Sequence, residues 1–403
     1  MLIMISVAEA IHIVKEQTQA LPVERIPLDD ALGRVLAEDV VADCDLPPFD
    51  RAQMGGYAVR SVDTSIVPAR LRVVGESAAG RRWHGEMKTG EAVRIMTGAP
   101  VPAGADSVQK VEVTNESGGV VEVVETTRPD QFLVRRASEV RSGETVLRAG
   151  NQINAARMSV LASFGYAEVS VGTRPRVAVL ATGTELVAVN ETPGPDQIRD
   201  SNSYSLSAYA QLAGGRVKRL PLAGDDPEKL KRDIAEAAAR SDALILSGGV
   251  SMGVYDFTKA ALRALDAELF FERVSLRPGK PTVFARLGRT LIFGLPGNPV
   301  SVSVTFNLFA RTALRAMQGC RDSAMLEEWA VLSRGAKGSV ERESYLPAQV
   351  RTDEDGRLLA EPLKWGGSSD FVAFARADAL VIVPEGVARL DAEEKVRIVR
   401  LPS

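Results

Sequence analysis

Three apolar runs in the second half of this 403-residue chain each end in a loop of glycine and small polar residues. Val177 to Leu180 runs into Ala181-Thr182-Gly183-Thr184-Glu185. Ala243 to Leu246 runs into Ser247-Gly248-Gly249-Val250-Ser251-Met252-Gly253. Thr290 to Phe293 turns at Gly294-Leu295-Pro296-Gly297 into Asn298-Pro299-Val300-Ser301. Helical segments alternate with these runs. One follows Asp200-Ser201-Asn202 and stops at Gly214-Gly215. The next opens at Asp226 with Pro227 in the first helical position and runs through Arg240. A third covers 257–266, and a fourth reaches Met317. A further strand is expected near Val217 to Leu222. Alternation of this length predicts a doubly wound parallel or mixed sheet, with helices on both faces and right-handed crossovers.

Open sheets of this kind bind ligands beyond the carboxyl ends of their strands. The three loops sit at such ends. Glycine lets a backbone approach a ligand closely, and helix N-termini offer free N–H groups at the positive end of a dipole. Together they describe an oxyanion cradle. None matches the P-loop or the dinucleotide fingerprint, which disfavours a Walker-type ATPase and a Rossmann oxidoreductase. Each loop has an ordinary structural reading as a tight turn; their recurrence in one sheet argues for function. Asp256 and Lys259 follow the second loop closely. Arg277 and Lys280 flank a Pro-Gly turn suited to an anion. Asp225-Asp226 reads first as a helix cap.

The remainder is patterned differently. Ser6 and Glu9 form a capping box for an amphipathic helix over 6–19, which excludes a signal peptide, and His12 is an ordinary residue of that helix. Val-rich runs of period two within 49–145 (Leu71 to Val74, Val111 to Val113, Val120 to Val124) predict an all-β unit. Residues 146–172, with a helical piece from Ala155 to Phe164, read as a connector. After about 324, short strands at Tyr345 to Val350, Leu358 to Glu361, Ala379 to Pro384 and Lys395 to Leu401 predict a small C-terminal β-domain.

Composition narrows the chemistry. The formal charge is −3 and aromatics are 5 %, so neither a broad basic face nor a base-stacking platform is available for nucleic acid. No stretch is long and apolar enough to span a membrane. Only two histidines (His12, His84) and two cysteines (Cys44, Cys320) are present. They cannot build a zinc knuckle, and neither histidine sits in the context of a nucleophile triad. Carboxylates, Lys/Arg, hydroxyls and backbone N–H groups must do the work, and a metal would be a hard, oxygen-liking ion such as Mg²⁺. Two scattered cysteines fit a reducing cytoplasm.

Seven stretches in order, PPFDRAQMGGYAVR, RIMTGAPVPAGAD, ATGTEL, DSNS, SGGVSMGVYDFTKAAL, LRPGKP and GLPGNPVS, resemble the molybdopterin molybdenumtransferase family, the molybdenum insertases related to the gephyrin E domain. The α/β part alone is also similar to the smaller molybdopterin adenylyltransferases. The resemblance implies a cytoplasmic homodimer of elongated subunits with four subdomains: a connector (24–48 and 143–173), an all-β subdomain (49–142), an α/β molybdopterin-binding subdomain (4–23 and 174–323) and a C-terminal β-domain (324–403). It implies conversion of adenylylated molybdopterin and molybdate into molybdenum cofactor and AMP, assisted by Mg²⁺ or another divalent ion. Contacts with molybdopterin adenylyltransferase and molybdoenzyme apo-proteins belong to the same expectation.

By matched position, Glu185, Asp226 and Asp256 would hold metal or substrate. Lys280, with Arg277, would take anionic groups. Thr182, Gly183, Ser247 and the backbone of Gly248, Gly249 and Ser251 would bind substrate, and Pro296, Gly297, Asn298 and Ser301 would close the pocket. Thr97 would face it from the partner subunit. The register of Arg342, Ser368 and Ser369 is loose.

The chain also departs from the family pattern. Gly55 stands where Met-Asp-Gly-Tyr has its acid, Thr184 where Gly-Asp-Glu-Leu has Asp, and Arg277 where Lys-Pro-Gly-Lys-Pro has Lys. Arg135 to Val140 replaces Arg-x-Gly-Glu-Asp-Ile. Lys→Arg keeps charge with altered geometry; Gly55 keeps neither, and Asp50 is a candidate substitute acid. These departures motivate a second reading: an impaired paralogue that binds molybdopterin or a partner protein without turnover. An adenylyltransferase-like activity is the third reading, disfavoured by the four-part layout.

Overall fold

The computed structural model describes residues 4–224, 226–249 and 257–402. The chain forms two compact units, residues 1–38, 149–155 and 168–403, and residues 39–148 and 156–167.

The first unit is built around a six-stranded sheet in the order Arg216–Arg219, Arg176–Ala181, Ala243–Ser247, Thr290–Leu295, Val283–Leu287, Glu268–Phe271. The first four are mutually parallel. Val283–Leu287 is reversed and pairs antiparallel with both neighbours, so the sheet is mixed. Its far edge is a hairpin that the βα alternation did not predict. The apolar runs are continuous because both faces are covered. Val177, Val179 and Ile245 pack with Leu206 and the N-terminal helix on one side; Ala178, Leu180 and Leu244 pack with Leu230 and Ile234 on the other.

The helices end as their sequences dictate. Val7–Gln17 begins at Ser6, whose Oγ accepts from the Glu9 N–H at 3.1 Å. Pro227–Arg240 begins at Asp226, and Asn202–Leu212 stops before Gly214. The last helical segment runs from Pro299 to Met317 with one π turn at Phe306–Ala310. In the C-terminal part, Glu343–Thr352, Leu358–Pro362, Glu327–Leu332, Lys395–Arg400 and Ala379–Val383 pair in a closed ring, a small barrel around Leu332, Leu346, Val381 and Ile398. Glu327–Leu332 was not expected as a strand.

The second unit carries a six-stranded sheet in the order Ser107–Lys110, Gly56–Val59, Glu91–Ile95, Ala69–Ser77, Val120–Val123, Thr114–Ser117. Val111 to Val113 departs from the expected strand. It is a single 3₁₀ turn, because pairing with Gly56–Val59 ends at Lys110 and Val111 is exposed. Residues Ala155–Ser163 form the expected helix.

One polar clamp ties two strands of the first unit at their starts. The Asp242 carboxylate accepts from the Arg176 backbone N–H at 2.8 Å and from its guanidinium at 2.8 and 3.1 Å. Burial alone would raise the Asp242 carboxyl, but the Arg176 hydrogen bonds and charge outweigh it and hold it below its ordinary value. A carboxyl lowered by folding stabilises fully above its unfolded value, and that contribution disappears as pH falls through the folded one. Asp242→Asn is therefore expected to cost about 1–2 kcal/mol at pH 7. The difference should vanish at strongly acidic pH, as read from urea midpoints across the acid limb. A pH-independent difference would assign the cost to packing.

Candidate active site

The strand register brings the three glycine loops to one height. Ala181 lies opposite Ser247, and Ser247 opposite Leu295. The loops are then stitched together. Thr182 N donates to Ser247 O at 2.9 Å, Gly183 N to Ala223 O at 3.3 Å and Gly248 N to Leu295 O at 3.2 Å. Gly248 has a φ of +91°, and a Cβ there would meet Thr182 O at 2.5 Å, so only glycine fits between the first two loops. Above them opens a cavity of about 850 Å³, lined by Thr182, Gly183, Glu185, Ser247, Gly248, Gly249, Pro296, Gly297 and Asn298 among others.

Other expected residues lie elsewhere. Ser301 is buried in the first turn of its helix and does not line this cavity. The Arg277 guanidinium donates to Gly338 O at 3.0 Å, fastening the Pro-Gly turn to the C-terminal part; neither it nor Lys280 is on the lining, although Pro281 is. Asp226 Oδ1 accepts from Glu228 N at 3.0 Å and Lys229 N at 3.1 Å, the cap arrangement. Asp225, Ser251 and Asp256 lie outside the described residues.

The expected cradle is also partly filled by protein. Gly248 N–H is engaged by Leu295, and Val300 N–H donates to Ser368 O at 3.0 Å. Among the described residues, no three His, Cys, Asp or Glu side chains are grouped as a metal site. Asp200 is buried and accepts from Ser203 N and Ser203 Oγ, which leaves Glu185 as the lining carboxylate without such a partner among the described residues.

Several lining residues carry no site role by sequence, among them Phe371, Arg199 and Asn202, and the sequence places Ser369 only loosely. Ser369 and Phe371 come from the C-terminal part, held against the third loop by Asn298 Nδ2 donating to Ser368 Oγ at 2.9 Å. Arg199 follows a polar stretch without periodicity. Asn202, visible only as part of DSNS, donates through Nδ2 to both Ser247 Oγ (3.0 Å) and Gly297 O (2.7 Å), bridging the second and third loops. Its buried Oδ1 has no partner among the described residues.

Thr97 belongs to the second unit. There it borders a separate cavity of about 380 Å³ with Gly55, Gly56, Tyr57 and Arg94. A Cβ on Gly56, at φ +155°, would run into Gln109 O, whereas one on Gly55 would find Thr97 Oγ1 as its nearest neighbour at 3.7 Å. The backbone thus requires the second glycine and not the first.

Because Asn202→Ala removes the bridge together with an unpaired acceptor, its stability cost should be small, about 1 kcal/mol. Local opening should rise more than the global loss explains. Amide hydrogen exchange at 247–249 and 296–298 is expected to accelerate selectively; uniform acceleration would show that the bridge does not restrain the loops.

Family models cover most of the chain: the MoeA N-terminal region (domain I and II) over residues 5–165, a "probable molybdopterin binding domain" over 178–316, and the MoeA C-terminal region (domain IV) over 330–401. The molybdopterin molybdenumtransferase of Bacillus subtilis (strain 168) is 33 % identical over 402 residues, covering 98 % of this chain and 93 % of that one. Its namesake in Haemophilus influenzae is 33 % identical over 377 residues, covering 93 % of each. The crystal structure of the molybdopterin biosynthesis MoeA protein from Pyrococcus horikoshii OT3 superposes with a TM-score of 0.84 at 28 % identity, covering 99 % of this chain and 100 % of that one. The ordered loops, the cavity at their strand ends and these full-length matches agree: the chain belongs to the molybdopterin molybdenumtransferase (MoeA) family.

Proposed function

We propose that this chain inserts molybdate into adenylylated molybdopterin, yielding molybdenum cofactor and AMP. The transferase class and the role in molybdenum cofactor biosynthesis follow from its family. The observation that carries the reading is the single cavity at three level strand ends, large enough at about 850 Å³ for a dinucleotide-sized ligand.

Glu185 is the proposed carboxylate for a divalent ion, with Asp256 as the second acid and the substrate's own phosphates completing the shell, the mode in which Mg²⁺ usually binds. Supporting this role, Glu185 offers hard carboxylate oxygen on the cavity lining, whereas Asp200 is already engaged by Ser203. When bound, the ion would polarise the phosphoanhydride. Thr182 and Ser247 hydroxyls, the backbone of Gly183, Gly248, Gly249 and Ser251, and Asn298 would orient substrate. Lys280 would take an anion at the edge, and Pro296 to Ser301 would wall the pocket. Asp226 serves chiefly to start its helix. No imidazole or thiolate is needed.

The four-subdomain division and a homodimer that sets Thr97 of the second copy opposite the cavity complete the proposal, together with contacts to the adenylyltransferase and to molybdoenzyme apo-proteins. No helix among the described residues is long and apolar enough to cross a membrane, which suits the proposed cytoplasmic setting.

Gly55 favours the second reading, binding with impaired turnover, because nothing in the backbone demands glycine where the family pattern has an acid. One assay separates them. Purified protein with adenylylated molybdopterin, molybdate and Mg²⁺ should release AMP; binding without AMP release would overturn the insertase reading. Gly55→Asp should fold normally and raise the rate at least about tenfold if the missing acid limits it, a change of about 1.4 kcal/mol in the barrier. Gly56→Ala, by contrast, should unfold several degrees earlier on heating. Sedimentation should give a species twice the 43.2 kDa chain mass; a monomer at micromolar concentration would remove Thr97 from the site.

A further inference from the structure

Among the described residues lining the cavity, Arg199 is the one cation. It ends a two-residue strand, Ile198–Arg199, which pairs in parallel with Leu186–Val187. Ile198 N donates to Glu185 O at 2.8 Å, so this strand and Glu185 are fixed to one another.

The guanidinium is oriented at one corner only. Nε donates to the Glu191 carbonyl at 3.0 Å. Neither terminal nitrogen has a hydrogen bond or ion pair with a described residue. Glu191 and Asp200 direct their carboxylates to other donors. Asp200 accepts from Ser203, and Glu191 accepts from Ala188 N at 3.1 Å. The cations expected to serve anions are placed otherwise, Arg277 on Gly338 O and Lys280 off the lining. A guanidinium pinned through Nε keeps its two Nη groups as a pre-aimed fork, a geometry that matches two oxygens of a phosphate.

We propose that Arg199 is the phosphate-binding residue of this cavity, a two-point contact for the phosphate of an adenylylated ligand. This rests on reading the cavity as the nucleotide site, and the probes are chosen to separate the two claims. AMP, adenosine and inorganic pyrophosphate are titrated calorimetrically into the wild type, Arg199→Ala and Arg199→Lys. The side chain is exposed, so the variants should keep the wild-type circular dichroism and melting temperature.

Arg199→Ala is expected to weaken AMP and pyrophosphate binding at least about tenfold, the scale of a charge-assisted contact. Adenosine binding should not change. Arg199→Lys should recover only part of the loss, because an ammonium cannot make two parallel contacts. Wild-type-like AMP and pyrophosphate affinity in Arg199→Ala overturns the assignment. An equal loss for adenosine overturns it too, since the residue would then be shaping the pocket. Wild-type protein that binds pyrophosphate through Arg199 but takes neither AMP nor adenosine upholds the phosphate contact and overturns the nucleotide reading.

Discussion

Parallel pairing among Arg176–Ala181, Ala243–Ser247 and Thr290–Leu295 ends level, with Ala181, Ser247 and Leu295 in one row. That register is held from both sides. Alternate residues of each strand enter two different cores, and a slip of one residue would send every side chain to the wrong face. The heights of the three loops are therefore set by the apolar residues below them. Once level, the loops are close enough that Gly248 must lack a side chain and Asn202 can span two of them. The site is a consequence of core packing several residues away.

Much of this was legible in the residues. Buried strands flanked by glycine loops and capped helices declare themselves locally, as Ser6, Asp226 and Gly214 show. The reversed strand Val283–Leu287 did not, because a short strand of mostly apolar residues carries no sign of its direction; that depends on the short hairpin to Thr290. Val111 to Val113 misled for the converse reason: three residues of strand-like composition lie just past the end of their ladder. Glu327–Leu332 opens on two adjacent acids ahead of four apolar residues, without a clean period of two, and becomes a strand through its neighbours in the barrel.

The polar half of the site was less legible than the glycine half. A glycine loop is diagnostic by composition, whereas the destination of an arginine depends on what tertiary structure sets before it. Arg277 stands beside a family motif, yet its guanidinium reaches a carbonyl more than sixty residues on. Arg199 lies in a stretch of no pattern and reaches the cavity because its strand is annexed by Leu186–Val187. Asp226 shows the same economy in reverse: the residue that begins the helix has its carboxylate oxygen occupied by that helix.

The central sheet has two unpaired borders, Arg216–Arg219 and Glu268–Phe271. The first reads Arg-Val-Lys-Arg, with a single apolar residue among three positive charges. A like strand approaching that border would meet its own cations, which discourages the chain from extending its sheet into neighbouring copies. Newly made protein crowded with others of its kind is thereby steered away from stacking strand on strand at that border.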